Sequence, residues 1–194
     1  DGDWPEHNLD RLDTLYDQEI GFVGLGTVGR HLCRLLEPFD VSIRVYDPYV
    51  DTAALPTGVV ATSLEDVLTN SEIVSIHASL TEETIGLLDG ARLDQLPDGA
   101  LLINTARGPI VAEDALVQKI SDGDLEAALD VYWEEPLADS HALRARDRVL
   151  LQPHNAGWAA GDQIAETVVT DLERFLAGEP IQHGSPQSQF RLMT

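Results

Sequence analysis

The chain is poor in positive charge. Twelve basic residues stand against 34 acidic ones, the net charge is −22, and Lys119 is the single lysine. Such a surface repels nucleic acid and anionic membrane faces, so neither is expected as a partner. The acids run along the whole chain instead of collecting in one tail, which argues against a disordered acidic extension. They suit a surface solvated in high salt, where screening weakens self-repulsion, better than ordinary acidic solubility. Cysteine is nearly absent too. Cys33 alone can form neither an internal disulfide nor a metal cluster, which fits a reducing, cytoplasmic setting. It falls on the apolar side of an expected helix, the place of a packed core thiol. No apolar run approaches the ~20 residues of a membrane span. The start, Asp1-Gly2-Asp3-Trp4, carries no signal-peptide pattern.

What is present is a chain of 194 residues, 43% hydrophobic, enough for one large domain or two small ones. Residues 1–19 read as a polar lead-in with a short helix around Leu9 to Leu15. Strand Ile20 to Val23 follows, then a helix with Val28, Leu32, Leu35, Leu36 and Phe39 at helical spacing, closed by Pro38. A β-branched strand, Val41 to Asp47, ends on that acid. The alternation continues: a helix opened by a Ser63–Asp66 capping box, strand Glu72 to Ala78, a helical turn closed by Pro97 and Gly99, and strand Ala100 to Ala106. A helix closed by Gly123, strands Glu126 to Tyr132 and Arg148 to Pro153, and a last helix, Asp162 to Ala177, complete it. That helix should bury Ile164, Val168, Leu172, Phe175 and Leu176 before stopping at Gly178. Repeated β-α units with near-continuous apolar strands predict an α/β fold, a Rossmann-type doubly wound parallel sheet with helices on both faces. The expected domain runs over 20–178, with 179–194 a linker or tail.

The stretch "FVGLGTVGR" places Gly24, Gly26 and Gly29 as G-x-G-x-x-G between a strand and a helix. Gly24 permits the tight turn, Gly26 lets backbone approach a pyrophosphate, and Gly29 lets helix pack on strand. The helix N-terminus then offers free N–H groups to phosphates. Asp47 ends the next strand, where a carboxylate takes ribose hydroxyls and repels a 2′-phosphate. NAD is therefore favoured over NADP. Arg44 is the one nearby cation, set in mid-strand.

Three later segments carry polar residues at strand ends: Arg107 in "NTARG", Asp130 and Glu135 in "LDVYWEEP", and His154 in "LLQPHNAGW". In a parallel sheet these ends share an edge with the glycine loop. Arg107 can hold a carboxylate and polarise a carbonyl. His154 can pass a proton to or from an alcohol oxygen, and Glu135 can raise its pKa and fix its orientation. This trio suits hydride transfer at a 2-hydroxy or 2-keto acid. Taken singly, the same residues also read as a surface ion pair, a solvated turn and a helix cap.

Together these segments resemble the NAD-binding domain of the D-isomer-specific 2-hydroxyacid dehydrogenases, from about Ile20 to Pro180. The resemblance implies catalytic Arg107, Glu135 and His154. It implies cofactor contacts at Gly24, Leu25, Gly26, Thr27, Val28, Gly29 and Asp47, and at Thr105, Ala106 and Arg107. Asp130 would face the nicotinamide amide, His77, Ala78 and Thr84 would line the adenosine side, and His154 to Gly157 would flank the nicotinamide. No metal is implied. A small 2-keto or 2-hydroxy acid is the expected substrate and a homodimer the expected assembly. The first part of the family's substrate domain is not in this sequence. Asn155 and Trp158 depart from the commoner residues after the histidine, and Trp133 and Trp158 could wall a pocket or an interface. Two other readings share the fold: a formate-dehydrogenase-like enzyme and an NAD-sensing, corepressor-like interaction protein.

Overall fold

The computed structural model describes residues 14–157 and 161–184. The expected helix at Leu9 to Leu15 and the role considered for Trp158 fall largely or wholly outside them. Seven parallel strands form one sheet in the order β3-β2-β1-β4-β5-β6-β7. They are β1 Glu19–Val23, β2 Ser42–Tyr46, β3 Val59–Ala61, β4 Ile73–Ile76, β5 Ala100–Asn104, β6 Leu125–Leu129 and β7 Val149–Leu151. The order reverses direction between β1 and β4, the switch point at which doubly wound sheets bind ligands.

Alternation along the strands builds two cores. Ile20 and Phe22 of β1 face α1 (Thr27–Leu36), where they join Leu25, Cys33, Leu36, Ile43 and Val45. Val23 faces the other way, into the larger core with Val67 and Leu68 of α2 (Leu64–Thr69). Leu93 of α3 (Gly90–Leu93) and Leu116 and Ile120 of α4 (Glu113–Asp122) complete that layer. Helices therefore cover both faces. Burial raises the Cys33 thiol pKa, as expected of a core cysteine.

Several expectations change in detail. In α1 the buried face is Gly29, Cys33 and Leu36, while Val28 and Leu35 are exposed. At ~3.6 residues per turn those two lie about 100° round from the buried stripe. Ser63 Oγ accepts the Asp66 N–H at 3.1 Å, but the Asp66 side chain turns to Asn70 and Arg44, so only half of the capping box forms. Strand β3 was not expected, since three edge residues carry almost no pattern. The largest correction concerns α5 (Gly161–Leu176). Its apolar stripe, Ile164, Val168, Leu172, Phe175 and Leu176, is exposed, and none of its residues is buried. Its periodicity predicts the helix correctly, but no described element lies over the stripe. Beyond it, Asp171 accepts the N–H groups of Gln182 and His183, both at 2.9 Å, so the start of the tail folds back on α5.

Candidate active site

The carboxyl ends of the strands carry the site. Gly24 follows β1 with φ +93°, and a Cβ there would stand 2.7 Å from the Ala78 backbone nitrogen. Only glycine lets the loops after β1 and β4 approach so closely. Gly26 is the N-cap of α1, without a side-chain cap, and nothing lies within 4 Å of where its Cβ would be. Thr27 and Val28 open the helix on the exposed side, and no acid stands in its first turn. The open space and the uncapped N–H groups fit a pyrophosphate.

Asp47 directly follows β2. Its Oδ2 accepts the Leu25 N–H at 2.8 Å and its Oδ1 accepts the Tyr49 N–H at 2.9 Å. The carboxylate thus ties the glycine loop to the loop after β2, and each oxygen keeps a further lone pair able to accept from a hydroxyl. Arg44 is engaged elsewhere, 3.3 Å from Glu19 and 3.4 Å from Asp66. Ala78 borders the glycine loop through its backbone. Thr84 organises the following loop, donating to the Ser79 carbonyl at 2.7 Å and accepting the Thr81 N–H at 2.7 Å. The His77 ring instead points into the α1 layer, edge-on to Phe22 at 4.7 Å, with Nε2 buried and unpartnered. Burial pushes its pKa down to about 4, so it is neutral and packs beneath the loop.

On the other half of the edge, the loops after β5, β6 and β7 interlock. Asn104, buried at the end of β5, donates to the Arg107 carbonyl at 2.9 Å and accepts the Ala106 N–H at 3.0 Å. It holds the Thr105–Arg107 turn in shape. Thr105 and Arg107 are exposed there. Gly108 then packs directly on the next loop: a Cβ would lie 2.2 Å from the Tyr132 carbonyl carbon and oxygen. The Trp133 indole donates to the Val111 carbonyl at 2.6 Å and stacks on His141, so it joins these two loops.

Asp130 is 4% exposed, and its two oxygens accept the N–H groups of Asn155 and Ala156 at 2.9 and 3.0 Å. It anchors the turn in which His154 adopts φ +53°, a left-handed conformation uncommon outside glycine. His154 Nδ1 meets Glu135 Oε2 at 2.7 Å, and Glu135 Oε1 accepts the Tyr132 N–H at 3.0 Å. The hydrogen bond from His154 holds the Glu135 carboxyl below the usual carboxylate range. The imidazole remains about half exposed, at 49%, and Gly157 beyond it is open to solvent. With Nδ1 committed to Glu135, Nε2 is the nitrogen left for proton exchange. Asn104, Gly108 and Tyr132 hold these loops together with no sequence signal of that role. The "NTARG" string contained the first two, but their partners are set only by the fold.

A glycine-looped, doubly wound parallel sheet of this order is a Rossmann-type fold, and its far strand ends present a Glu–His pair and an Arg. The family model described as "D-isomer specific 2-hydroxyacid dehydrogenase, NAD binding domain" matches residues 1–156, and the chain belongs to that family. It is 41% identical over 170 residues to a glyoxylate reductase of Thermofilum pendens, covering 85% of this chain and 50% of that protein. It is 36% identical over 180 residues to an (S)-sulfolactate dehydrogenase of Chromohalobacter salexigens, covering 90% and 58%. The fold matches a D-isomer specific 2-hydroxyacid dehydrogenase of Xanthobacter autotrophicus Py2, solved with NADPH and MES, with TM-score 0.78 and 35% identity over 89% of this chain and 72% of that one. An NAD-dependent formate dehydrogenase of Staphylococcus aureus, solved with NAD, matches with TM-score 0.76 and 33% identity, covering 87% and 51%. The chain spans about half the length of these curated relatives.

Proposed function

We propose that this chain is the cofactor domain of an NAD-dependent oxidoreductase that interconverts a D-2-hydroxy acid and its 2-keto acid. The observation that carries the reading is the Glu135–His154 hydrogen bond at 2.7 Å, assembled from two different strand ends. A bound nicotinamide would supply or accept the hydride. The glycine loop and the α1 N-terminus would hold its pyrophosphate, and Asp47 the adenosine ribose. Thr105, Ala106, Asp130 and the turn from His154 to Gly157 border the nicotinamide end, with Ala78 and Thr84 on the adenosine side and His77 supporting the loop. Arg107 binds the substrate carboxylate and polarises the neighbouring carbonyl. His154 gives a proton to the carbonyl oxygen in reduction and takes it back in oxidation. Glu135 stabilises the imidazolium and fixes which nitrogen faces the substrate.

NAD is favoured over NADP because Asp47 would oppose a 2′-phosphate and Arg44 is already paired. Glyoxylate-like, sulfolactate-like and phosphoglycerate-like acids are the substrate class. The bare stripe on α5 suits packing against the substrate domain of a longer protein, which would close the cleft. A homodimer in a cytoplasm of high salt completes the proposal, the second part resting on the charge of −22. Similarity to a formate dehydrogenase supports a second reading. Formate yields only a hydride and needs no proton donor, so the Glu135–His154 pair favours the hydroxy-acid reading. Turnover of the full-length protein with NADH and a panel of 2-keto acids tests it. Reduction of at least one is expected; formate oxidation with no keto-acid reduction would overturn it.

A further inference from the structure

Tyr132 bonds Glu135 directly and reaches the strand end that leads into His154. Its backbone N–H donates to Glu135 Oε1 at 3.0 Å. Its phenol, on a residue only 8% exposed, donates to the Gln152 carbonyl at 2.6 Å, with the Leu129 carbonyl at 3.2 Å. Gln152 stands two residues before His154 at the end of β7, and its own N–H is held by Leu129 at 2.8 Å. One residue of the loop after β6 thus grips the carboxylate through its backbone and the histidine's strand end through its side chain. Tyr132, Glu135 and His154 also line one cavity with Leu137, Leu151 and Pro153. Burial raises the phenol's pKa, so it stays a donor through neutral pH.

The geometry of the pair requires such a device. His154 is about half exposed and Glu135 rather more than a third, on loops of separate strands, where a hydrogen bond competes with water and is worth little unless both ends are held. Asp130 fixes the turn after His154, and Gly108 presses on the Tyr132 carbonyl from the other side. Sheet pairing with β6 holds β7 as far as the Gln152 N–H, and past that point the phenol adds the tie from the Gln152 carbonyl to the loop that carries Glu135.

We propose that Tyr132 is a positioning residue that sets the Glu135–His154 contact, and through it the proton transfer, by tying the Gln152 carbonyl to the loop that carries Glu135. This rests on the dehydrogenase reading for its catalytic consequence but not for its structural one. The two are tested separately in the full-length protein with Tyr132→Phe, which keeps the ring and removes only the hydroxyl, and with Glu135→Gln as the reference. The first measurement is the NMR titration midpoint of the His154 imidazole, which needs no turnover. The charged groups near it, Glu135 and Arg144 in the shared cavity and Asp130 on the following turn, are the same in parent and Phe variant. The midpoint should fall in Tyr132→Phe part of the way to its value in Glu135→Gln. The second is keto-acid reduction: kcat should fall about fivefold, the loss expected for one buried hydrogen bond, while KM, set by Arg107, stays at the parent value. A Phe variant with the parent's midpoint and kcat would overturn the proposal. So would one that no longer folds, since the hydroxyl would then hold strands instead of the pair. A parent without keto-acid turnover would defeat the dehydrogenase reading, and the imidazole midpoint would still decide the role of Tyr132.

Discussion

Two glycines of the site should respond in opposite ways to the same added methyl group. At Gly108 a Cβ would stand 2.2 Å from the Tyr132 carbonyl carbon and oxygen and 2.7 Å from the Trp133 nitrogen. These are backbone atoms of a buried loop and cannot rotate away, so the loops after β5 and β6 must separate. Overpacking of this kind costs about 1–3 kcal/mol, and contacts this short belong at the upper end. At ~2–4 °C per kcal/mol for a chain of this size, Gly108→Ala should lower the melting temperature by about 6–12 °C. At Gly26 nothing lies within 4 Å, and φ is −75°, which alanine adopts freely. Gly26→Ala should therefore melt within a few degrees of the parent, losing only the ~1 kcal/mol or less by which alanine is a poorer helix N-cap, yet weaken NADH by about tenfold or more, because the methyl fills the space proposed for the pyrophosphate. Thermal melts and NADH titrations of both variants form the assay. A Gly108→Ala protein as stable as the parent would refute the loop contact. Unchanged NADH affinity in Gly26→Ala would refute the cradle.

Other outcomes follow from the same geometry. NADH should bind more tightly than NADPH, and Asp47→Ala should narrow the gap mainly by weakening NADH, by about tenfold for a lost charge-assisted hydrogen bond; equal affinities in the parent would contradict the ribose assignment. The depressed Glu135 carboxyl makes its pair with His154 present above the ordinary glutamate range and lost as pH falls through the folded value. In the full-length enzyme Glu135→Gln should move the alkaline limb of keto-acid reduction to lower pH, because the charge that favours the imidazolium is gone; an unshifted profile would remove Glu135 from the mechanism. The melting temperature should rise from 0.1 to 3 M KCl, as screening lengths fall from ~10 Å at 0.1 M to ~3 Å at 1 M, and NaCl should act alike; a flat or falling curve would refute adaptation to salt.

The β1–α1–β2 unit was readable because every layer agreed there: buried strand, glycine turn, helical period, terminal acid. The same agreement placed β4 to β7 and put Arg107, Glu135 and His154 on one edge. What sequence could not give were relations between loops. Gly108 reads as an ordinary turn glycine until Tyr132 is set against it, and Tyr132 as a core aromatic until its hydroxyl meets Gln152. His77 was expected to line the adenosine side, but strand alternation turns its ring into the α1 layer. The stripe on α5 shows the limit most plainly, for periodicity says that a face is apolar and says nothing of what covers it.

Proton transfer through His154 is the centre of this account, and its most direct test is His154→Ala in the full-length enzyme, with NADH binding measured beside keto-acid reduction. Turnover should fall by ~10²–10⁴-fold, the range for a positioned acid–base group, while NADH affinity stays at the parent value. Reduction at the parent rate without the imidazole would contradict the account.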